Sequence, residues 1–183
     1  MLVSLRDIKP GDMEKTREWR NNPGVAKYMF TDHIITPQEH AAWFERITQD
    51  TRFKVWIIVC NSEDVGLANL YDIDVRNKRC YWGSYVADPQ LRGRGIGSFV
   101  EYLVLRFVFE DLGLRKLCCE VLAFNQSAID IHTGFGFVQE GVLRQHIFKN
   151  GQAHDVVSLA MFRTDWQNNK PRLTERMRAK GML

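Results

Sequence analysis

The chain has no apolar run approaching the roughly 20 residues that a membrane span requires, and its first six residues, Met1 to Arg6, carry charge too early for a secretory leader. It has four cysteines, Cys60, Cys80, Cys118 and Cys119, and no C-x-x-C pair. Adjacent residues on a strand point to opposite faces, so Cys118 and Cys119 cannot form one simple chelate. Reduced thiols in a cytoplasmic protein are expected, with no metal. No internal repeat or low-complexity tract is visible. Lys and Arg number 25 against 22 Asp and Glu, a net charge of +3. So small an excess suits an anionic small ligand and does not call for nucleic acid or a membrane surface. What is present is ordinary: 45% hydrophobic and 26% charged residues over 183 positions. That is the balance of a soluble chain long enough for one domain.

The pattern predicts a strand over Leu2–Arg6, then a helix over Asp12–Asn21 with Asp12 at its N-cap. The turn residues Asn21-Asn22-Pro23-Gly24 end that helix. Thr36-Pro37-Gln38-Glu39 is a capping-box start for a second helix to about Gln49. Three β-rich runs follow, Phe53–Cys60, Val65–Ile73 and Cys80–Val86, an antiparallel meander. A long helix should begin near Ile96 and end near Gly113. Lys116–Ala123 reads as a strand, Ser127–Thr133 as a short helix and Phe137–Leu143 as a strand. Asn150-Gly151 is a type I′ hairpin signal joining His146–Lys149 to His154–Phe162. The fold class is α+β, a mixed sheet with helices on both faces, in which the strands at Cys80 and Ala123 pair in parallel. Residues 1–166 form the domain, and 167–183 read as a basic peripheral tail.

The sharpest local feature is Arg92-Gly93-Arg94-Gly95-Ile96-Gly97. It follows a strand and opens a helix. Glycines permit a tight turn and close approach of a ligand. Free N–H groups and the helix dipole favour phosphate oxygens, and Arg92 and Arg94 add charged donors. The spacing is G-x-G-x-G, not the G-x-G-x-x-G of a dinucleotide fold, and no Gly-Lys-Ser/Thr follows. NAD and ATP are therefore poor candidates.

The Arg92–Gly97 segment resembles the R/Q-x-x-G-x-G/A signature of the GNAT superfamily of N-acetyltransferases. Asn125-Gln126-Ser127-Ala128-Ile129, followed by Phe135-Gly136-Phe137, resembles its second signature. The resemblance implies a sheet whose parallel strands splay at the cofactor, and direct transfer of acetyl from acetyl-CoA to an amine without a metal. It implies that Arg92, Gly93, Arg94, Gly95, Ile96, Gly97 and Ser98 cradle the diphosphate. Tyr85 and Val86 would offer backbone groups to pantetheine, and Asn125 and Ser127 would hold the cofactor from the other side. Within the superfamily the chain is most similar to members of the pseudaminic-acid pathway, which acetylate the 4-amino group of a UDP-linked amino-dideoxy sugar. The similar pieces are Trp19-Arg20-Asn21, Val25–Met29, Ile35–His40, Leu117–Val121 and Gly141–Gly151 with Asp155-Val156. Ribosomal-protein N-terminal acetyltransferases share much of this layout. A homodimer is left open.

Glu120 is the only acid in the apolar run Leu117–Leu122. Apolar neighbours raise a carboxyl pKa towards that of a useful base, and related enzymes often have an acid here. An outward, solvated Glu is the competing reading. His132 stands where many relatives have a tyrosine that protonates the departing thiolate; imidazole can take that role with a different pH profile, or can simply pack. For the acceptor, the candidates are Trp19, Arg20, Asn21, Tyr28, His40, Asn69 and Trp82. Arginine can hold a diphosphate, and aromatic faces can stack on a base or a sugar. A nucleotide-sugar acceptor, a protein N-terminus, and a non-catalytic CoA- or nucleic-acid-binding module are the three functions to separate.

Overall fold

A computed structural model describes residues 1–183. One sheet of seven strands runs in the order β1-β2-β3-β4-β5-β7-β6. The strands are β1 (Val3–Asp7), β2 (Lys54–Cys60), β3 (Glu63–Asp74), β4 (Arg79–Val86), β5 (Lys116–Leu122), β6 (Val138–Lys149) and β7 (Gln152–Phe162). All neighbours are antiparallel except β4 and β5. Helices α1 (Met13–Asn21), α2 (Pro23–Ala26) and α3 (Pro37–Gln49) lie on one side. There Ile47 packs with Val55 and Leu67, flanked by Trp43 and Tyr85. Helices α4 (Ile96–Arg106), α5 (Gln126–Phe135) and α6 (Arg163–Ala179) lie on the other, over the main core. This is the expected α+β architecture. No helix is long and apolar enough to cross a membrane.

Local chemistry accounts for most boundaries. Thr36 Oγ1 accepts the Glu39 N–H and Glu39 Oε2 accepts the Thr36 N–H, the reciprocal box that starts α3. Asn150 and Gly151 have φ of +50° and +74°, as a type I′ turn requires. Asn61 and Ser62, at +49° and +70°, make a second such turn, so β3 begins at Glu63, two residues before the expected Val65. Asp12 does not cap α1 with its side chain. Its carboxylate turns back to Arg6 and to the Lys9 N–H, tying α1 to β1. The two expected strands after Phe137 are one, β6. Its register breaks between Leu143 and Ile147, where Gln145 takes φ +50° and gives its N–H to Asp155 Oδ1.

Residues 167–183 are not peripheral. Trp166, Leu173 and Met177 of α6 are fully buried in the same core as α4. The polar face of α6 masks a stripe at 166, 173 and 177 that a net basic composition conceals.

Two strands part company in the middle of the sheet. β4 pairs with β5 only from Arg79 to Tyr81, then stays with β3 through Val86. β5 continues beside β7 through Leu122. The gap between Trp82–Val86 and Cys119–Leu122 is the splay that the resemblance implied. Gly66 on β3 sits against the splayed arm. A Cβ there would lie 2.1 Å from the Tyr85 carbonyl oxygen, which is backbone. Gly66→Ala should therefore cost about 1–3 kcal/mol or more in denaturant unfolding, the usual penalty of overpacking. An unchanged midpoint would show that β4 yields freely here.

Candidate active site

A cavity of about 980 Å³ passes through the splay. Its donor half is built by the turn before α4. Gly93 and Gly95 have φ of +74° and +90°, conformations that side chains rarely tolerate. The amides from Gly93 to Ser98 make no hydrogen bond to another backbone group. They are the orphan donors of a helix start, joined to the positive end of its dipole. Arg92 directs Nε and Nη2 at the Val86 carbonyl, 3.2 and 3.1 Å away, and so fixes the end of β4 to the turn. Val86, Gly97, Ser98, Asn125 and Ser127 line the same cavity, with Ile96 beneath; Arg94 does not reach it. This set fits a diphosphate.

The other half of the cavity lies towards α1–α3. Leu67 and Tyr85 belong to the small cluster under α3, and alternation along β3 puts Asn69 and Tyr71 on that face too. Arg20, Tyr28, His40 and Asn69 line it. Arg20 Nη2 donates to Thr31 Oγ1 at 3.0 Å. Its Nη1 is buried without a partner, as is the Tyr85 hydroxyl. Burial works against the charge of Arg20, and no carboxylate compensates it. Lys149 lies below, 4% exposed, its ammonium donating to the carbonyls of Ala26, Met29 and Thr31 at 2.7, 2.6 and 2.8 Å. It holds the wall from 26 to 31 in place and adds a second positive charge, which Asp32 offsets only from beyond ion-pair distance. His40 is 3% exposed and its ring is committed to Thr16 Oγ1 at 2.9 Å. Trp19 and Asn21 are absent from the cavity wall. Asn21 instead pins the Ile35 backbone through both its amide groups, and the Lys15 ammonium stands over Trp19. Neighbours on a helix point about 100° apart, so Arg20 turns inward and the residues beside it do not.

Glu120 and His132 both line the cavity, on opposite faces of the sheet. Cys119 belongs to the core under α4, so Glu120 faces the α1–α3 side with Tyr71 and Tyr81. No hydrogen bond or ion pair within the chain engages its carboxylate. His132 projects from α5 under the α4 side. Its Nδ1 is 2.9 Å from Glu101 Oε1, and the Trp82 ring stands edge-on 5.3 Å away. Glu101 is 1% exposed and its Oε2 has no partner. Burial opposes charge on the imidazole. The Glu101 carboxylate, hydrogen-bonded to the ring, and the neighbouring Cys119 overcome it and push the pKa up to about 10. Glu101 was not singled out from the sequence, yet it carries the same signal as Glu120: a lone acid in an apolar run, Phe99–Leu105.

The sequence profile of the acetyltransferase (GNAT) domain matches residues 3–138. The chain belongs to the GNAT acetyltransferase family. It is accordingly an N-acetyltransferase with acetyl-CoA as donor. Among GNAT relatives, spermidine N(1)-acetyltransferase of Escherichia coli is 26% identical over 160 residues, covering 87% of this chain and 86% of its own. Acetyltransferase PseH of Campylobacter jejuni is 24% identical over 131 residues, covering 72% and 80%. In fold, the chain is similar to spermidine N-acetyltransferase of Vibrio cholerae in complex with CoA and spermine. The TM-score is 0.84 at 22% identity, over 91% of this chain and 98% of that one.

Proposed function

We propose that this GNAT enzyme acetylates the 4-amino group of a UDP-linked amino-dideoxy sugar. The observation that carries the reading is the half-buried Arg20 guanidinium, whose Nη1 is buried and unpaired with no carboxylate beside it. A buried charge left unpaired is costly, so the site favours an anionic occupant. The diphosphate of a nucleotide sugar meets that demand. A polyamine, the substrate class in the names of two of the relatives above, would bring more positive charge to Arg20 and Lys149. Tyr28 and the unpaired Tyr85 hydroxyl suit the base and sugar.

In this reading Glu120 takes the proton of the acceptor amine on one face of the sheet. His132 stabilises the departing thiolate from the other. The splay lets the two halves meet, and alignment of amine and thioester supplies much of the rate, up to roughly 7–11 kcal/mol.

The test is Arg20→Ala assayed with UDP-4-amino-dideoxy sugars, spermidine and N-terminal peptides as acceptors. A charge-assisted hydrogen bond is worth about 1.5–3 kcal/mol, so KM for the nucleotide sugar should rise roughly 10- to 100-fold while KM for acetyl-CoA holds. Faster wild-type turnover of spermidine or a peptide than of every nucleotide sugar would reject the reading. So would an equal rise in both KM values.

A further inference from the structure

We propose that the end of the chain is part of the donor site, and that Lys180 supplies a cationic ligand for the phosphates of acetyl-CoA. This rests on the reading that the turn at Gly93–Ser98 holds the acetyl-CoA diphosphate.

The placement of Lys180 follows from how α6 is anchored and how it ends. Trp166 Nε1 donates to Glu110 Oε1 at 2.9 Å, and the Tyr102 and Thr174 hydroxyls are 2.9 Å apart. With Leu173 and Met177 fully buried, these bonds fix α6 against α4. The helix then stops in a Schellman motif. Gly181 has φ +64°, its N–H donates to the Arg178 carbonyl at 2.8 Å, and the Met182 N–H donates to the Met177 carbonyl at 3.1 Å. Glycine is suited to that left-handed position, and an apolar contact between Met182 and Met177 is the usual companion of the motif. Met182 duly packs on the main core.

The reversal lays the chain end on the glycine turn. A Cβ on Gly95 would meet Met182 Cε at 2.9 Å and the Lys180 ammonium at 3.6 Å. Lys180 lines the cavity beside Gly93, Gly95, Gly97 and Arg92. It has no carboxylate partner within the chain. Arg92 spends two of its donors on the Val86 carbonyl, so its charge is partly committed to holding β4. Lys180 is the uncommitted cation left beside the unpaired amides. Three positive features thus converge without a counter-ion: the start of α4, Arg92 and Lys180. A diphosphate is the ligand that relieves them. A neutral or cationic ligand would not.

The test compares wild type, Lys180→Ala and Lys180→Arg by calorimetry with CoA, and by rate with acetyl-CoA and with S-acetylpantetheine, which lacks the diphosphate. Lys180→Ala should raise the Kd for CoA about 2- to 5-fold. The gap should narrow at high salt, as for any exposed charge. Arginine should restore most of the loss. Rates with S-acetylpantetheine, kcat at saturating acetyl-CoA, and KM for the acceptor should all stay put. Equal CoA affinity in wild type and Lys180→Ala would overturn the assignment and leave the donor site standing, and so would tighter binding, which would make the tail a cover. A wild-type protein that binds no CoA would remove both.

Discussion

Replacing His132 by phenylalanine should lower kcat about 100-fold or more near neutral pH, with the Kd for CoA unchanged. The size is that of removing one preorganised hydrogen-bond donor from a developing negative charge, about 10²–10³. The reason lies in the pair with Glu101. An ordinary thiol has a pKa of about 8.5, below the value of about 10 to which His132 is raised. In the proposed mechanism the ring would therefore keep its proton as the thiolate forms, and would act as a charged hydrogen-bond donor. This sets the pH profile. The wild-type enzyme should hold its rate up to the region of pH 10 and lose it above. In Glu101→Gln the carboxylate that opposes burial is gone, so the alkaline limb should move to lower pH. Stability should follow the same linkage. The folded-state pKa is raised above the ordinary 6.5, so the contribution of the pair is complete below about pH 6.5 and fades as pH rises through about 10. Rates of the three proteins between pH 6 and 11, with denaturant midpoints alongside, check both. Full turnover by His132→Phe across pH 6–9 would remove the ring from the mechanism.

The parts of this architecture that could be read directly are those set by backbone chemistry within a few residues. The Thr36–Glu39 box, the Asn150-Gly151 turn and the glycine turn before α4 each need particular residue types at fixed spacing, and each formed where those residues stand. Orientation was harder. Trp19-Arg20-Asn21 borders the cavity, but only tertiary packing decides which of three successive helical positions turns inward. Arg20 does, while Asn21 clamps Ile35. The pairing of Glu101 with His132 spans 31 positions and joins two helices. Neither residue announces the other in one dimension. The fate of the chain end was hidden for another reason. Lys170, Arg172, Arg176 and Arg178 dominate its composition, and three apolar residues outweigh them energetically once buried.

Glu120→Gln tests the other half of the chemistry. The carboxylate sits two positions beyond the last residue of β5 that pairs with β4, so it is the first acceptor-facing side chain at the mouth of the splay. On its other edge it is held in register opposite Ser158 of β7, and this rigid strand gives a base a fixed aim. Its charge reaches Tyr71, whose hydroxyl pKa is pushed up first by burial and then by Glu120. Tyr71 and Tyr81 therefore stay neutral, and each keeps a hydroxyl proton that it can donate as well as lone pairs that accept. Glutamine keeps the size of the side chain and removes the proton acceptor. At neutral pH the substitution should lower kcat/KM by about 10²–10⁴, and calorimetry with CoA should see no change. The deficit should shrink as pH rises, because an amine that loses its proton to solvent no longer needs the carboxylate. A deficit that stays constant up to alkaline pH would assign Glu120 to binding the acceptor, and wild-type activity at neutral pH would leave the amine to deprotonate without it.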